Sequence, residues 1–129
     1  MKIEHLAVWV KDLEPMRQFY ETYFGGTAGD KYYNPTKKFT SYFLSFEQGC
    51  RLELMHKPDI PDNLNDIKRQ YIGIIHFAIS VGSKEKVDEL TERLRTAGFT
   101  VAGEPRTTGD GYYESVVLDP EMNYIEITV

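Results

Sequence analysis

With a single cysteine, Cys50, the chain has no partner for an internal disulfide. One thiol suits a reducing compartment, so the expected location is the cytoplasm. Missing too is any apolar run near the roughly 20 residues that a bilayer span requires, so no membrane association is expected. The first residues, Met1-Lys2-Ile3-Glu4-His5, lack the apolar core of a secretion signal. The formal charge is −5 and no Lys/Arg cluster interrupts it. Nucleic acid is therefore not an expected partner, because phosphate binding needs a basic stripe. There is no Gly-x-Gly-x-x-Gly, no Gly-Lys-Ser/Thr phosphate loop and no nucleophile elbow. Nucleotide cofactors and Ser-His-acid chemistry lose their usual carriers.

What is present is enough for one folded domain. The 129 residues are 41% hydrophobic and 13% aromatic, which argues for a packed core and against disorder. Residues 2–10 alternate with the two-residue period of a strand, with Leu6, Val8 and Val10 on one face and His5, Ala7 and Trp9 on the other. Asp12 then suits a helix N-cap. Met16, Phe19, Tyr20 and Tyr23 follow at helical spacing, and Gly25-Gly26 ends the stripe. Residues 27–38 read as a loop with one irregular strand, 39–46 as a strand, and 50–56 as its hairpin partner. On that last strand Cys50 is expected to pack with Leu52 and Leu54 as a small hydrophobe.

A connector over 57–70, rich in Pro and Asn, carries a short helical piece at 64–69 in this reading. Then the order restarts. Residues 71–81 form a strand, Ser83 caps a helix with Val87, Leu90, Leu94 and Ala97 on one side, and Gly98 ends it. A short strand at 99–102, a loop at 103–111 and a terminal hairpin of 112–118 with 123–129 complete the second half. The expected fold is α+β: two tandem βαβββ modules, 1–56 and 71–129, in a single domain. They make a curved mixed sheet with helices on its convex side.

Within this duplication one short pattern recurs. His5-Leu6-Ala7-Val8-Trp9-Val10 returns as His76-Phe77-Ala78-Ile79-Ser80-Val81. Each copy has a later glutamate between aliphatics, Glu53 in Leu52-Glu53-Leu54 and Glu126 in Ile125-Glu126-Ile127. The separations nearly match, 53 − 5 = 48 and 126 − 76 = 50. A lone His or Glu on a half-exposed strand is most often a solvated polar residue. The same pair twice, with all four members on the face opposite the aliphatics, is a different observation. His5, Glu53, His76 and Glu126 together offer two imidazoles and two carboxylates, a set suited to Ni²⁺, Co²⁺, Zn²⁺ or Fe²⁺. His56 serves as the control: it has the opposite parity from Glu53, no counterpart in the second module, and the expectation of a surface or turn residue. Tyr32-Tyr33, Tyr112-Tyr113, Lys37-Lys38 and Gly109-Asp110-Gly111 read as packing or loop residues.

Paired modules with a His on the first strand and a Glu on the last resemble the vicinal oxygen chelate superfamily across essentially the whole chain. The ending from Val117 to Ile127, with Asp119-Pro120-Glu121-Met122-Asn123, is similar to its terminal hairpin, except that Met122 stands where glycine is usual. That departure implies either a strained Met122 or a left-handed Asn123, and an altered turn rather than a lost site. A full His, Glu, His, Glu set resembles glyoxalase I most, which implies a divalent metal with Ni²⁺ or Co²⁺ favoured over Zn²⁺.

The implied reaction turns a thiol–2-oxoaldehyde hemithioacetal, such as that of methylglyoxal, into a 2-hydroxyacyl thioester. A Lewis-acid ion stabilises the developing enediolate in it. By the same resemblance Glu126 moves the proton, Glu53 is ligand and second base, and His5 and His76 anchor the ion. A homodimer with sites shared between chains is implied as well. The alternatives are a methylmalonyl-CoA epimerase-like isomerase and a non-catalytic small-ligand binder of the same fold. Lys37, Lys38, Arg51 and Arg106 stay open as recognition residues for the thiol, whose identity the sequence leaves undecided.

Overall fold

Alternation in the first ten residues becomes β1 (His5–Trp9), and Asp12 caps α1 (Leu13–Phe24) as its position requires. The Asp12 backbone is extended, and its carboxylate accepts the Glu14 amide. Gly25 closes the helix at φ +68°, a left-handed turn that a Cβ would penalise. Leu13, Met16, Phe19 and Tyr20 are buried on one side of α1, while Tyr23 is half-buried with its ring 5.5 Å from Phe19. In the computed structural model, which describes residues 1–129, the chain forms two compact units, Met1–Asp62 and Asn63–Val129. The division falls inside the expected connector.

The first unit continues with β2 (Thr27–Ala28), β3 (Tyr32–Asn34), β4 (Phe39–Ser45) and β5 (Arg51–His56). Its sheet runs β1-β5-β4-β2, with β3 also paired to β4. The first strand pairs parallel with the last, so β1 forms one edge. The region 27–38 thus holds two short strands rather than one. Leu44, Leu52 and Leu54 fill the face beneath α1. Each such buried side chain contributes about 1.5–3 kcal/mol, against about 0–1 kcal/mol for an exposed ion pair. The aliphatic face therefore fixes which side of every strand points away from the helix.

The second unit repeats this plan with β6 (His76–Ser80), α2 (Lys84–Thr96), β7 (Val101–Thr107), β8 (Tyr113–Leu118) and β9 (Tyr124–Thr128). Its sheet runs β6-β9-β8-β7, and β6 pairs parallel with β9. Equivalent details recur: the Val10 amide donates to Met55 O and the Val81 amide to Thr128 O, both at 2.8 Å. The fold class is α+β with paired modules, realised as two mixed sheets, one in each module.

Several local expectations need correction. The buried stripe of α2 is Val87, Thr91 and Leu94, while Ala97 is exposed. Thr91 can lie inside because its hydroxyl donates to Val87 O and meets Ser115 Oγ, both at 2.6 Å. β7 reaches Thr107, through residues expected to be loop. Two register shifts bend it, and Pro105 is tolerated on this edge strand because no ladder partner needs its missing N–H. No helix forms at 64–69; Asp66 and Asn65 instead accept nearby backbone amides. Cys50 is exposed and precedes β5, because Gly49 at φ +90° turns the chain just ahead of it. Met122 takes φ +69°, so the terminal turn keeps its left-handed residue without glycine.

Candidate metal centre

Register decides where the four expected ligands stand. In the pairing of β1 with β5, His5 is opposite Arg51 and Ala7 is opposite Glu53. In the pairing of β6 with β9, His76 is opposite Tyr124 and Ala78 is opposite Glu126. Each glutamate is therefore the diagonal same-face neighbour of its histidine, beside an alanine too small to fill the space between them. Strand alternation puts all four on the face away from the helix of their unit.

The structure brings the four expected ligands together as two pairs, one in each unit. His5 Nε2 lies 3.8 Å from Glu53 Oε2, and His76 Nε2 lies 3.2 Å from Glu126 Oε1. In both cases the imidazole presents the same ring nitrogen to the carboxylate. The Glu53 and Glu126 side chains are 13% and 20% exposed, well covered for carboxylates but open enough to be reached. Within either unit no third His, Cys, Asp or Glu completes a cluster. Each module holds one His–Glu pair.

Around His5 stand Glu4 and Phe43, which the sequence did not single out, and Arg51, until now one of the open recognition residues. His5 Nδ1 is 2.6 Å from Glu4 Oε2, and Arg51 Nε donates to Glu4 Oε1 at 3.0 Å. These two contacts, His5 first and Arg51 second, hold the Glu4 carboxyl below its ordinary range. The Arg51 guanidinium also lies 4.1 Å from the centre of the Phe43 ring, whose edge meets the His5 imidazole at 5.3 Å. Alternation would turn Glu4 away from His5, but Glu4 precedes the first residue of β1 and escapes that rule. Its place beside His5 in sequence was the only signal.

Around His76 the surroundings are open. A cleft of about 530 Å³ is lined by His76, Glu126, Gln70, Gly103, Arg106 and Tyr124 among others. Gly103 matters here, since a Cβ would come within 3.3 Å of both Arg106 Nη1 and Val116 Cβ. Arg106 donates to the buried Glu114 at 3.2 Å. His56, expected at the surface, is half-buried and bonded through Nδ1 to Val10 O at 3.0 Å, which ties the end of β5 to β1. Lys37 and Lys38 are exposed, as are Tyr32, Tyr33 and Tyr112.

The donor chemistry fits a borderline divalent ion. A carboxylate accepts only, so in the Glu4 contact His5 Nδ1 is the donor, and Nε2 is the ring nitrogen turned toward Glu53. An imidazole nitrogen beside a carboxylate is a donor set that suits Ni²⁺, Co²⁺ or Zn²⁺.

The chain matches the model of the glyoxalase/bleomycin resistance protein/dioxygenase superfamily over residues 2–127. The chain belongs to this superfamily. A relative, the uncharacterised protein YqjT of Bacillus subtilis (strain 168), is 28% identical over 97% of this chain and 96% of its own. Among solved structures, the trypanothione-dependent glyoxalase I of Leishmania major superposes with a TM-score of 0.78 at 25% identity, covering 99% of this chain and 86% of that one. Glyoxalase I from Zea mays gives 0.79 at 25% identity over 98% of this chain. The chain spans 44% of the maize enzyme.

Proposed function

We propose that this protein is a metal-dependent lyase/isomerase of the glyoxalase I type, turning a thiol–2-oxoaldehyde hemithioacetal into a 2-hydroxyacyl thioester. The observation that carries the reading is the pair of equivalent His–Glu units, His5 with Glu53 and His76 with Glu126. Superfamily membership and likeness to two glyoxalase I enzymes support it. In this reading the two units act as one domain, and a homodimer shares its sites between chains.

His5, Glu53, His76 and Glu126 would hold the ion, Ni²⁺ or Co²⁺ ahead of Zn²⁺. When bound, the ion supplies Lewis-acid stabilisation for negative charge on two neighbouring substrate oxygens. Glu126 is the base. It takes the proton from the hemithioacetal carbon, C1, and returns it to the adjacent carbon, C2, while the hydroxyl proton passes from the C1 oxygen to the C2 oxygen. No oxidant is consumed.

Two features favour Glu126 over Glu53 for this work. A cleft adjoins Glu126, and its register neighbour on β8 is Val116. Glu53 has the larger Phe43 at the equivalent place on β4 and serves as ligand and second base. Arg106 stands in the cleft for recognition of an acidic group on the thiol.

The test uses purified, metal-stripped protein reloaded with Ni²⁺, Co²⁺ or Zn²⁺, and follows thioester absorbance with methylglyoxal and a panel of thiols. Metal-dependent turnover that falls at least about 100-fold in Glu126→Gln is the expected result. Epimerisation of an acyl-CoA without hemithioacetal turnover would replace the proposal with the epimerase reading. Absence of divalent-metal binding would remove it.

A further inference from the structure

The two His–Glu pairs are equivalent in register but not in their supports. Position −1 from the histidine is Glu4 in module one and Ile75 in module two. The residue opposite the histidine is Arg51 in one and Tyr124 in the other, and the residue opposite the glutamate is Phe43 in one and Val116 in the other. Around His5 these choices build a cage. Glu4 engages Nδ1, Arg51 fixes Glu4 and covers Phe43, and Phe43 meets the imidazole edge-on. The backbone contributes as well, because the Arg51 amide donates to Glu4 O at 3.1 Å. Around His76, Ile75, Val116 and Tyr124 line the cleft instead. The isoleucine side chain at 75 has no acceptor for the ring N–H.

We infer that Glu4 is a positioning residue for His5, locking the imidazole in the Nδ1–H tautomer with Nε2 presented to the metal, and that Arg51 holds Glu4 in place. The inference rests on His5 being a ligand, as proposed above. A neutral imidazole can carry its proton on either ring nitrogen, and a nitrogen that is protonated cannot bind metal. A carboxylate on the far nitrogen removes the wrong tautomer and raises the basicity of the near one. Module two has no such device, so the two histidines do different work. His5 is the fixed anchor, and His76 is the ligand beside which substrate enters.

Nitrogen-15 multiple-bond correlation spectra of the metal-free protein at pH 8 read the tautomer directly, without metal or substrate. His5 is expected as the Nδ1–H form in the wild type and in Glu4→Gln, whose amide oxygen still accepts. In Glu4→Ala it shifts toward the Nε2–H form. Calorimetry with Ni²⁺ alone is expected to show about 10- to 100-fold weaker binding in Glu4→Ala, substantial rescue in Glu4→Gln, and a smaller loss in Arg51→Met. An Nε2–H His5 in the wild type, or a tautomer and affinity indifferent to Glu4→Ala, overturns the inference. If the wild type binds no metal, the functional proposal fails, while the tautomer spectrum still decides whether Glu4 orients His5.

Discussion

Glu126 lies directly across from Ala78, and its carboxylate reaches diagonally to within 3.2 Å of His76 Nε2. Ala7 has the same relation to Glu53. The small residue is a spatial requirement of the pair, because directly opposed side chains on one sheet face have Cβ atoms only about 5 Å apart. Ala78→Leu should therefore push Glu126 off its line. The expected outcome is at least about 10-fold weaker Ni²⁺ binding by calorimetry. The melting temperature should change little, since position 78 is exposed. A variant that binds metal as the wild type does would show that the diagonal geometry is unimportant.

Met122 adopts φ +69° and is 48% exposed. A left-handed non-glycine residue costs about 1–2 kcal/mol, and glycine's extra unfolded-state freedom offsets about half of that. Met122→Gly should stabilise the protein by about 0.5–1 kcal/mol, visible as a higher urea midpoint with an unchanged slope. A lower midpoint would mean that Met122 makes contacts which outweigh its backbone strain.

The same turn depends on Asp119, which is buried. Its Oδ1 accepts the Glu121 and Asn123 amides, both at 2.9 Å, and its Oδ2 accepts Asn123 Nδ2 at 2.8 Å. Asp119→Ala would leave these donors without their acceptor inside the hairpin that carries Glu126. The expected cost is about 2–4 kcal/mol in urea unfolding. Loss of less than about 1 kcal/mol would show that water reaches the turn and replaces the carboxylate.

On the helix side of module one, hydrogen bonds from Lys31 and then Tyr42 hold the Glu14 carboxyl down to about 2 from its usual 4.5. A lowered folded-state value means that Glu14 stabilises the fold above about pH 4.5 and loses that contribution as pH falls toward 2. Glu14 is 43% exposed, so solvent screening limits the effect to at most about 1 kcal/mol. Glu14→Gln should flatten stability against pH in this window and leave it unchanged in shape above pH 5. An unaltered acid limb would assign acid sensitivity to other carboxylates.

Most of the architecture was legible because two periodicities carried it. Helical spacing of Met16, Phe19 and Tyr20, bounded by Asp12 and Gly25, gave α1 nearly residue for residue. Alternation around Leu52 and Leu54 fixed the face on which Glu53 stands. The duplication then identified His76 and Glu126 by analogy with His5 and Glu53. Failures came where no period operates. The bends of β7 follow from register shifts that leave no pattern, Thr91 is buried because the Ser115 hydroxyl satisfies it, and Ala97 is the C-cap beyond the last helical residue. Cys50 and Glu4 each lie just outside a strand, where parity no longer applies. Glu4, the most informative side chain near the candidate centre, was hidden for that reason.

In each module the first strand to be synthesised pairs with the last, β1 with β5 and β6 with β9. A His–Glu pair therefore cannot form early in folding. It waits for closure of a loop of about 50 residues, whose entropic cost is about 3–4 kcal/mol before any contact repays it. At the proposed site, metal affinity would then report module closure, since a chain with either terminal strand frayed has lost the pair however intact its helix remains. A divalent ion added during refolding should be taken up only in the final phase and should slow unfolding more than it speeds folding. Ligand and fold share one latch.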